Sequence, residues 1–325
     1  MEETVTMKAL VRHRFGGPEV VRIEEVERPA LEEGRVLVRV RASSINKADM
    51  HQLSGWPRLL RPITRNGLLR PKSPLLGSDV AGVVEAVGKD VTDLAPGDEV
   101  FGARSGAYAE YVSAKFVVKK PANVTFEEAG TMGIAGLTAL QGLRDKGGLQ
   151  PGERVLINGA SGGVGTLAIQ VAKALGAHVT AVVGPRNVEQ ARELGADRVI
   201  DRTQEDFTRL GERYDLIADV AGGHSWFALR RALGPAGRLV IVGAHGSRSQ
   251  LGHIAAVWLA ARFGKHPVKF FVAQFNKPDL QALAEMMERG QLRPAIDRAY
   301  PLDEAQAALR VYSEGHVRGK LVLTI

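Results

Sequence analysis

The stretch Glu153-Arg154-Val155-Leu156-Ile157-Asn158-Gly159-Ala160-Ser161-Gly162-Gly163-Val164-Gly165 decides the fold of this chain. Val155, Leu156 and Ile157 are a continuous apolar run, the mark of a strand covered on both faces. Gly162, Gly163 and Gly165 then remove side chains where a backbone must approach a phosphate and where a helix must pack on a strand. A helix follows from Thr166 to Leu175, with its free N–H groups and the positive end of its dipole turned to an anion. A second apolar run, His178–Val183, completes strand, turn, helix and strand within the ~30 residues of a nucleotide-binding βαβ unit. Ser161, Gly162, Gly163, Val164 and Gly165 are therefore expected to cradle a dinucleotide.

Two other readings compete. A glycine-rich turn before a helix can be a plain tight connection. Gly159-Ala160-Ser161-Gly162-Gly163 also fits the nucleophile elbow of α/β-hydrolases, which would make Ser161 a nucleophile served by Asp219 and by His245 or His316. Gly163 and Gly165, which an elbow does not need, speak against it, as does the long β-rich segment before the motif.

The residues after Val183 bear on which nucleotide is bound. A strand of this kind usually ends in Asp or Glu, about 20 residues past the glycines, to hold ribose hydroxyls. Here Gly184-Pro185-Arg186-Asn187 follows instead. Gly184 leaves room for a phosphate, and Arg186 can form charge-assisted bonds to it. Arg202, after the next strand, can add a second contact. NADP(H) is thus expected over NAD(H), on Gly184, Arg186, Asn187 and Arg202. Gly222 and Gly223 after the strand ending at Asp219 should let the cofactor pass, with Gly243 after Leu239–Val242 playing a similar part and Ala221 among the cofactor-binding residues.

With 325 residues the chain suits two domains, and 45% hydrophobic with 24% charged residues is ordinary for a globular protein. There is no cysteine, which excludes disulfides and cysteine-ligated zinc or iron–sulfur sites and suits a cytoplasmic enzyme. The N-terminus does not read as a signal peptide, and no apolar stretch is long enough to span a membrane. The net charge of +7 is scattered, so no nucleic-acid partner is expected. Arg58, Arg61, Arg65, Arg70 and Lys72 do gather in the loop 54–73, a solvated loop or a basic lid for an anion.

Short strands are expected at Met7–His13, Val36–Ala42, Val80–Val87, Val100–Phe101, Ala107–Val112 and Lys115–Lys119. Helices are expected at Phe126–Gly130 and Ile134–Arg144. From Arg154 strands (154–158, 178–183, 197–200, 214–219, 237–243, 268–272) alternate with helices (164–175, 187–194, 225–233, 252–262), which means a parallel sheet with crossovers. Helices at 278–289 and near 303–314 follow. The last strand, Lys320–Ile325, has no place in a complete doubly wound sheet and should return to the first domain.

With this layout the chain resembles the medium-chain dehydrogenase/reductase superfamily, in its zinc-free quinone oxidoreductase-like branch. The resemblance is carried by Ala42–Asp49, Pro74–Gly82, Pro96–Val100, Ala135–Ala139, the glycine turn, Leu194–Asp197 and Gly319–Val322, in that order and spacing. It implies an α/β architecture. A Rossmann NADP-binding domain (124–274) is inserted in a GroES-like β-barrel catalytic domain (1–123 with 275–325), and a homodimer pairs through the strand near 268–272. Zinc-dependent relatives carry a ligand cysteine at the position of Asn46 and Gly-His-Glu at Gly77-Ser78-Asp79, so no metal site is expected here. The aromatic residue that often follows the Asn…Asp pair is absent from Met50-His51-Gln52.

The resemblance also implies site residues. Asn46 would donate to a carbonyl oxygen where charge develops as hydride arrives, unless it only satisfies loop backbone groups. His51 would deliver a proton, an imidazole being suited to that near neutral pH. Thr138 would lie beside the nicotinamide, and Arg318 would reach the cofactor. The expected function is zinc-independent transfer of hydride from NADPH to a small-molecule quinone, enone or other carbonyl. The alternatives are a serine esterase using Ser161, or a dinucleotide-binding protein with little turnover.

Overall fold

The computed structural model describes residues 5–56, 70–242, 257, 259 and 264–325. It divides into two compact units. The first holds 1–134, 275–288 and 296–325; the second holds 135–274 and 289–295.

The first unit is built on β3 (Val36–Ser44), in which Val36, Val38 and Val40 are buried while Arg39 and Arg41 face solvent. This period of two is what a half-covered strand requires. β3 pairs antiparallel with β4 (Asp79–Val87), with β6 (Tyr111–Ala114) and with β15 (Lys320–Thr324). β4 continues to β5 (Glu99–Ala103) and β7 (Phe116–Lys119), and β14 (Ile296–Pro301) lies beyond β15. Both chain ends thus share one sheet, and the last strand joins the first domain as expected. β1 (Thr6–Arg12) and β2 (Val21–Glu27) form a separate antiparallel pair. Leu10, Leu53, Leu76, Tyr108, Leu309 and Leu321 form a core drawn from both ends of the sequence. Of the expected strand 107–112 only Tyr111 and Val112 lie in β6; before it Ala109 makes an isolated bridge to Ala9, and Tyr108 exchanges backbone hydrogen bonds with Leu10 and Leu76.

Helix α1 (Lys47–Ser54) was not expected from the sequence. Its composition is polar, and its start is fixed by a cap: the Asn46 N–H donates to Asp49 Oδ2 at 2.8 Å. Gly55, in the left-handed region at φ 63°, ends it. A single turn, α2 (Phe126–Ala129), precedes α3 (Met132–Leu140).

The second unit is a six-stranded parallel sheet whose strands lie in the order 198–201, 178–183, 154–158, 214–219, 233–242 and 268–271. The strands are β8 (Arg154–Asn158), β9 (His178–Val183), β10 (Arg198–Asp201), β11 (Tyr214–Asp219), β12 (Leu233–Val242) and β13 (Val268–Phe271). The order reverses direction between β8 and β11, the topological switch point where such sheets bind ligands. Leu156, Val182, Ile200, Ile217 and Leu239 pack into one core with Trp226. The chain first passes from one unit to the other after Ile134. Asp79 Oδ1 accepts the Ile134 N–H at 2.6 Å, which ties the start of α3 to the first unit. The helix expected over 252–262, Gly243 and most of the loop 54–73 lie outside the described residues.

Candidate functional site

The glycine turn leaves β8 at the switch point and enters helix α4 (Gly163–Ala174) with Gly162 as the residue before its first turn. Each glycine has its own physical reason. Gly159 has φ +89°, and a Cβ there would lie 2.7 Å from the Cβ of Ala221. A Cβ on Gly165 would run into the carbonyl oxygen of Gly159 and sit 2.6 Å from the Ala160 Cα, so Gly165 allows the helix to pack on the turn. A Cβ on Gly162 meets nothing within 4 Å. Gly162 is thus needed neither for backbone strain (φ −85°) nor for packing. Open space over a glycine at a helix N-terminus is the cradle an anion fills.

The turn after β11 abuts this one. The Val220 and Ala221 N–H groups donate to the Asn158 carbonyl at 2.9 and 3.0 Å. Asp219 Oδ1 accepts from Asn158 Nδ2 at 2.7 Å and from the Gly222 N–H at 2.8 Å, with Gly222 at φ +69°. Ser161, Gly162, Gly163, Val164, Gly165, Ala221 and Gly222 are therefore neighbours through Gly159 and Asn158. Asp219 Oδ2 is buried with no hydrogen-bond partner among the described residues, an orphan acceptor at the end of the sheet where the nucleotide is expected.

At the end of β9 the two expected arginines are placed differently. The guanidinium of Arg202 lies beside Gly184, with Nε 3.6 Å and Nη2 3.9 Å from where a Gly184 Cβ would be. The Arg202 N–H donates to the Val183 carbonyl, which fixes its backbone there. Arg186 projects from the short turn Pro185–Asn187 and is exposed. Asn187 Oδ1 is buried without a partner among the described residues. These residues fit a nicotinamide dinucleotide: a glycine cradle, orphan acceptors and a cation beside the second strand. Thr138 is half-buried on α3 in the same unit. Arg318 is exposed in the first unit, with its backbone N–H 3.3 Å from Asp297 Oδ2.

The first unit holds a buried polar cluster of which the sequence disclosed only one member as a site residue, Asn46. Lys320 Nζ donates to Asn46 Oδ1 at 2.6 Å, and Asn46 Nδ2 donates to Asp79 Oδ2 at 2.8 Å and to the Ser44 carbonyl at 3.2 Å. Ser44 Oγ also donates to Asp79 Oδ2. Beside it, Asp49 accepts from Ser78 Oγ at 2.6 Å, from the Tyr108 hydroxyl at 2.9 Å and from the Asn46 N–H. Burial pushes the Asp49 carboxyl up to about 6, against the pull of the Ser78 hydrogen bond and with the Asp79 charge adding to the rise. Burial, then the Asp49 charge, holds the Tyr108 phenol well above its ordinary range. Burial lowers Lys320, opposed by the charges of Asp79 and Asp49.

Both N–H groups of Asn46 have acceptors, and the bond to the Ser44 carbonyl, at 3.2 Å, is the longer of the two. His51 lies one turn into α1, half-buried, with its ring 4.6 Å from that of Trp56.

The residues at the would-be ligand positions do not fit a metal ion. Asn46 and Asp79 share a buried ammonium group, and Ser78 is spent on Asp49. A divalent cation placed among them would face Lys320 at close range. The chain has no cysteine.

Comparison with known proteins identifies the family. Residues 32–122 match the family model described as an alcohol dehydrogenase GroES-like domain, and residues 194–323 match that of a zinc-binding dehydrogenase. The chain is 34% identical to the mitochondrial NAD(P)H oxidoreductase RTN4IP1 of Mus musculus, over 99% of this chain and 90% of that protein. It is 32% identical to the chloroplastic quinone-oxidoreductase QR1 of Triphysaria versicolor, over 95% of each. The chain belongs to the medium-chain dehydrogenase/reductase superfamily, in its quinone oxidoreductase-like branch. Among solved structures, the quinone oxidoreductase from Coxiella burnetii superposes with a TM-score of 0.86 at 31% identity, covering 99% of this chain and all of that one. The Escherichia coli quinone oxidoreductase complexed with NADPH gives 0.79 at 26% identity, over 98% and 100%. The chain is thus an oxidoreductase of this superfamily and takes a nicotinamide cofactor. The similarity over the whole chain leaves no place for the hydrolase reading of Ser161. No helix among the described residues is long and apolar enough to cross a membrane.

Proposed function

We propose that the protein is an NADPH-dependent, zinc-independent reductase of quinones, conjugated enones or other small carbonyl compounds. The observation that carries this is Gly162, a glycine that neither packing nor backbone strain demands, at the start of α4 beside the orphan acceptor of Asp219. The preference for NADPH rests on Gly184 with Arg202 over it, and on the missing acidic residue at the end of β9. Zinc independence rests on Lys320 occupying the surroundings of Asn46 and Asp79.

The bound nucleotide supplies the hydride. The turn residues Ser161–Gly165 hold its pyrophosphate, and Arg202 its extra phosphate, with Arg186 at hand. Thr138 lies on the nicotinamide side and Arg318 on the return segment. Asn46 gives up its long bond to Ser44 and donates that N–H to the substrate oxygen, where negative charge develops. His51, steadied by Trp56, delivers the proton. A second copy pairs along β13, the edge strand of the parallel sheet, where Phe270 is 44% and Val272 77% exposed. The cysteine-free composition suits the cytoplasm, and relatives named as mitochondrial and chloroplastic place the same fold in other compartments.

The test is a fluorescence titration with NADPH and NADH, followed by NADPH consumption against quinones, enones and aldehydes. Tight NADPH binding with turnover of at least one class is expected. Binding without turnover of any class makes the protein a nucleotide-binding module, and no binding refutes the proposal.

A further inference from the structure

Lys320 is 2% exposed at the first position of β15, and each of its three ammonium protons has an oxygen partner. These are Asn46 Oδ1 at 2.6 Å, the Ile45 carbonyl at 3.4 Å and Asp79 Oδ2 at 3.5 Å. The shortest contact is to the neutral amide rather than to the carboxylate. Asn46 thus sits between opposite charges, its oxygen on the ammonium and its Nδ2 on Asp79. Turning the amide over would set N–H groups against the ammonium and the oxygen against the carboxylate. Both contacts would be repulsive in a place that water does not screen. Asp79 cannot yield, because Ser44 Oγ holds Oδ2 and the Ile134 N–H holds Oδ1. Among the described residues, Asp49 accepts the Asn46 backbone N–H, the Tyr108 hydroxyl donates to Asp49 and to the Ser44 carbonyl, and the Tyr312 phenol interacts with Asp49.

We propose that Lys320 is a positioning residue of the reaction, its ammonium setting the polarity of the Asn46 amide at the start of the helix that carries His51. A helix of eight residues has little stability of its own, so its direction depends on this cap. The kinetic part rests on the proposed hydride transfer to a carbonyl; the polarity itself does not.

The test separates charge balance from polarity. Lys320→Met alone leaves Asp79 buried without its cation and serves as the control for lost folding. Lys320→Met combined with Asp79→Asn removes both charges and keeps the volume. In that double variant the new amide at position 79 still accepts from the Ile134 N–H and presents an NH2 group to Asn46. The Asn46 amide must then turn its oxygen to it. We expect near-normal thermal stability and NADPH affinity, with kcat lowered on the order of 100-fold. Adding the pair to Asn46→Ala should lower kcat no further, the non-additivity expected when one residue acts through another. The side-chain amide signals of Asn46 in a selectively labelled protein should shift. Recovery of kcat together with stability would mean a merely structural lysine and overturn the proposal. So would a full multiplicative loss on top of Asn46→Ala, or unshifted Asn46 signals. The amide signals are read without turnover, so a protein that oxidises no NADPH refutes the proposed function and leaves this test standing.

Discussion

Asp49→Asn should make the protein more stable at neutral and alkaline pH. Asp49 is fully enclosed, and its folded pKa of about 6 lies above the ordinary 3.8. The folded protein therefore holds this proton over a range in which the unfolded chain has released it. By linkage, the stabilisation is fully present below about pH 4 and is lost as pH rises through about 6. At about 1.4 kcal/mol for each pH unit, the rise amounts to about 3 kcal/mol, as an order of magnitude. Asparagine escapes that loss, and its oxygen can still accept from the Asn46 N–H and Tyr108 while its NH2 meets the Ser78 hydroxyl. Urea denaturation of both proteins from about pH 4 to about pH 8 reads the difference, and all other titrating groups cancel in the comparison. The stability of Asp49→Asn relative to the parent should grow by up to about 3 kcal/mol across that range. A difference that stays flat, or that moves toward the parent as pH rises, would refute the assignment of burial as the dominant influence on Asp49.

Gly162→Val should fold normally and lose NADPH binding, whereas Gly165→Ala should lose at least about 1–3 kcal/mol of stability because its Cβ meets backbone; thermal melts with and without NADPH distinguish them. Arg202→Ala should weaken NADPH by about ten- to a hundredfold, the worth of one charged hydrogen-bonding contact, and leave NADH nearly unchanged. Arg186→Ala should do less, and the opposite order in fluorescence titrations would restore Arg186 as the main contact. His51→Ala should lower kcat on the order of 100-fold or more while NADPH affinity holds; unchanged turnover would move proton delivery to water. Val272→Lys with Phe270→Glu should convert a dimer to a monomer in sedimentation, and an unchanged species would place the interface elsewhere.

The second unit was legible because its signals are local. Val155–Ile157, the glycines and His178–Val183 follow one another, and an apolar run with a glycine turn needs no distant partner to be recognised. The return of the last strand was legible too, because a complete parallel sheet leaves Lys320–Thr324 nowhere else to pair. The buried cluster was not. Lys320 and Asn46 are 274 positions apart, and in sequence a lysine near a chain end reads as a solvated charge. The one available signal was Gly319-Lys320 recurring in the family pattern, and it pointed attention to its neighbour Arg318 instead. Helix α1 was missed because Lys47–Ser54 has few apolar residues and is held by its cap and by Leu53 in the core. The approach of Arg202 to Gly184 depends on the parallel pairing of β10 with β9, which sets Asp201 opposite Val183, and a long-range pairing of that kind is not visible in sequence spacing.

The most direct test of the central claim is single-turnover oxidation of NADPH deuterated at the transferred position. It would be run with a quinone or conjugated enone after exhaustive chelation. The account predicts a primary isotope effect on NADPH oxidation and a rate that chelation leaves unchanged. Loss of turnover on chelation with recovery on adding zinc would contradict it, as would oxidation that shows no isotope effect in the single turnover.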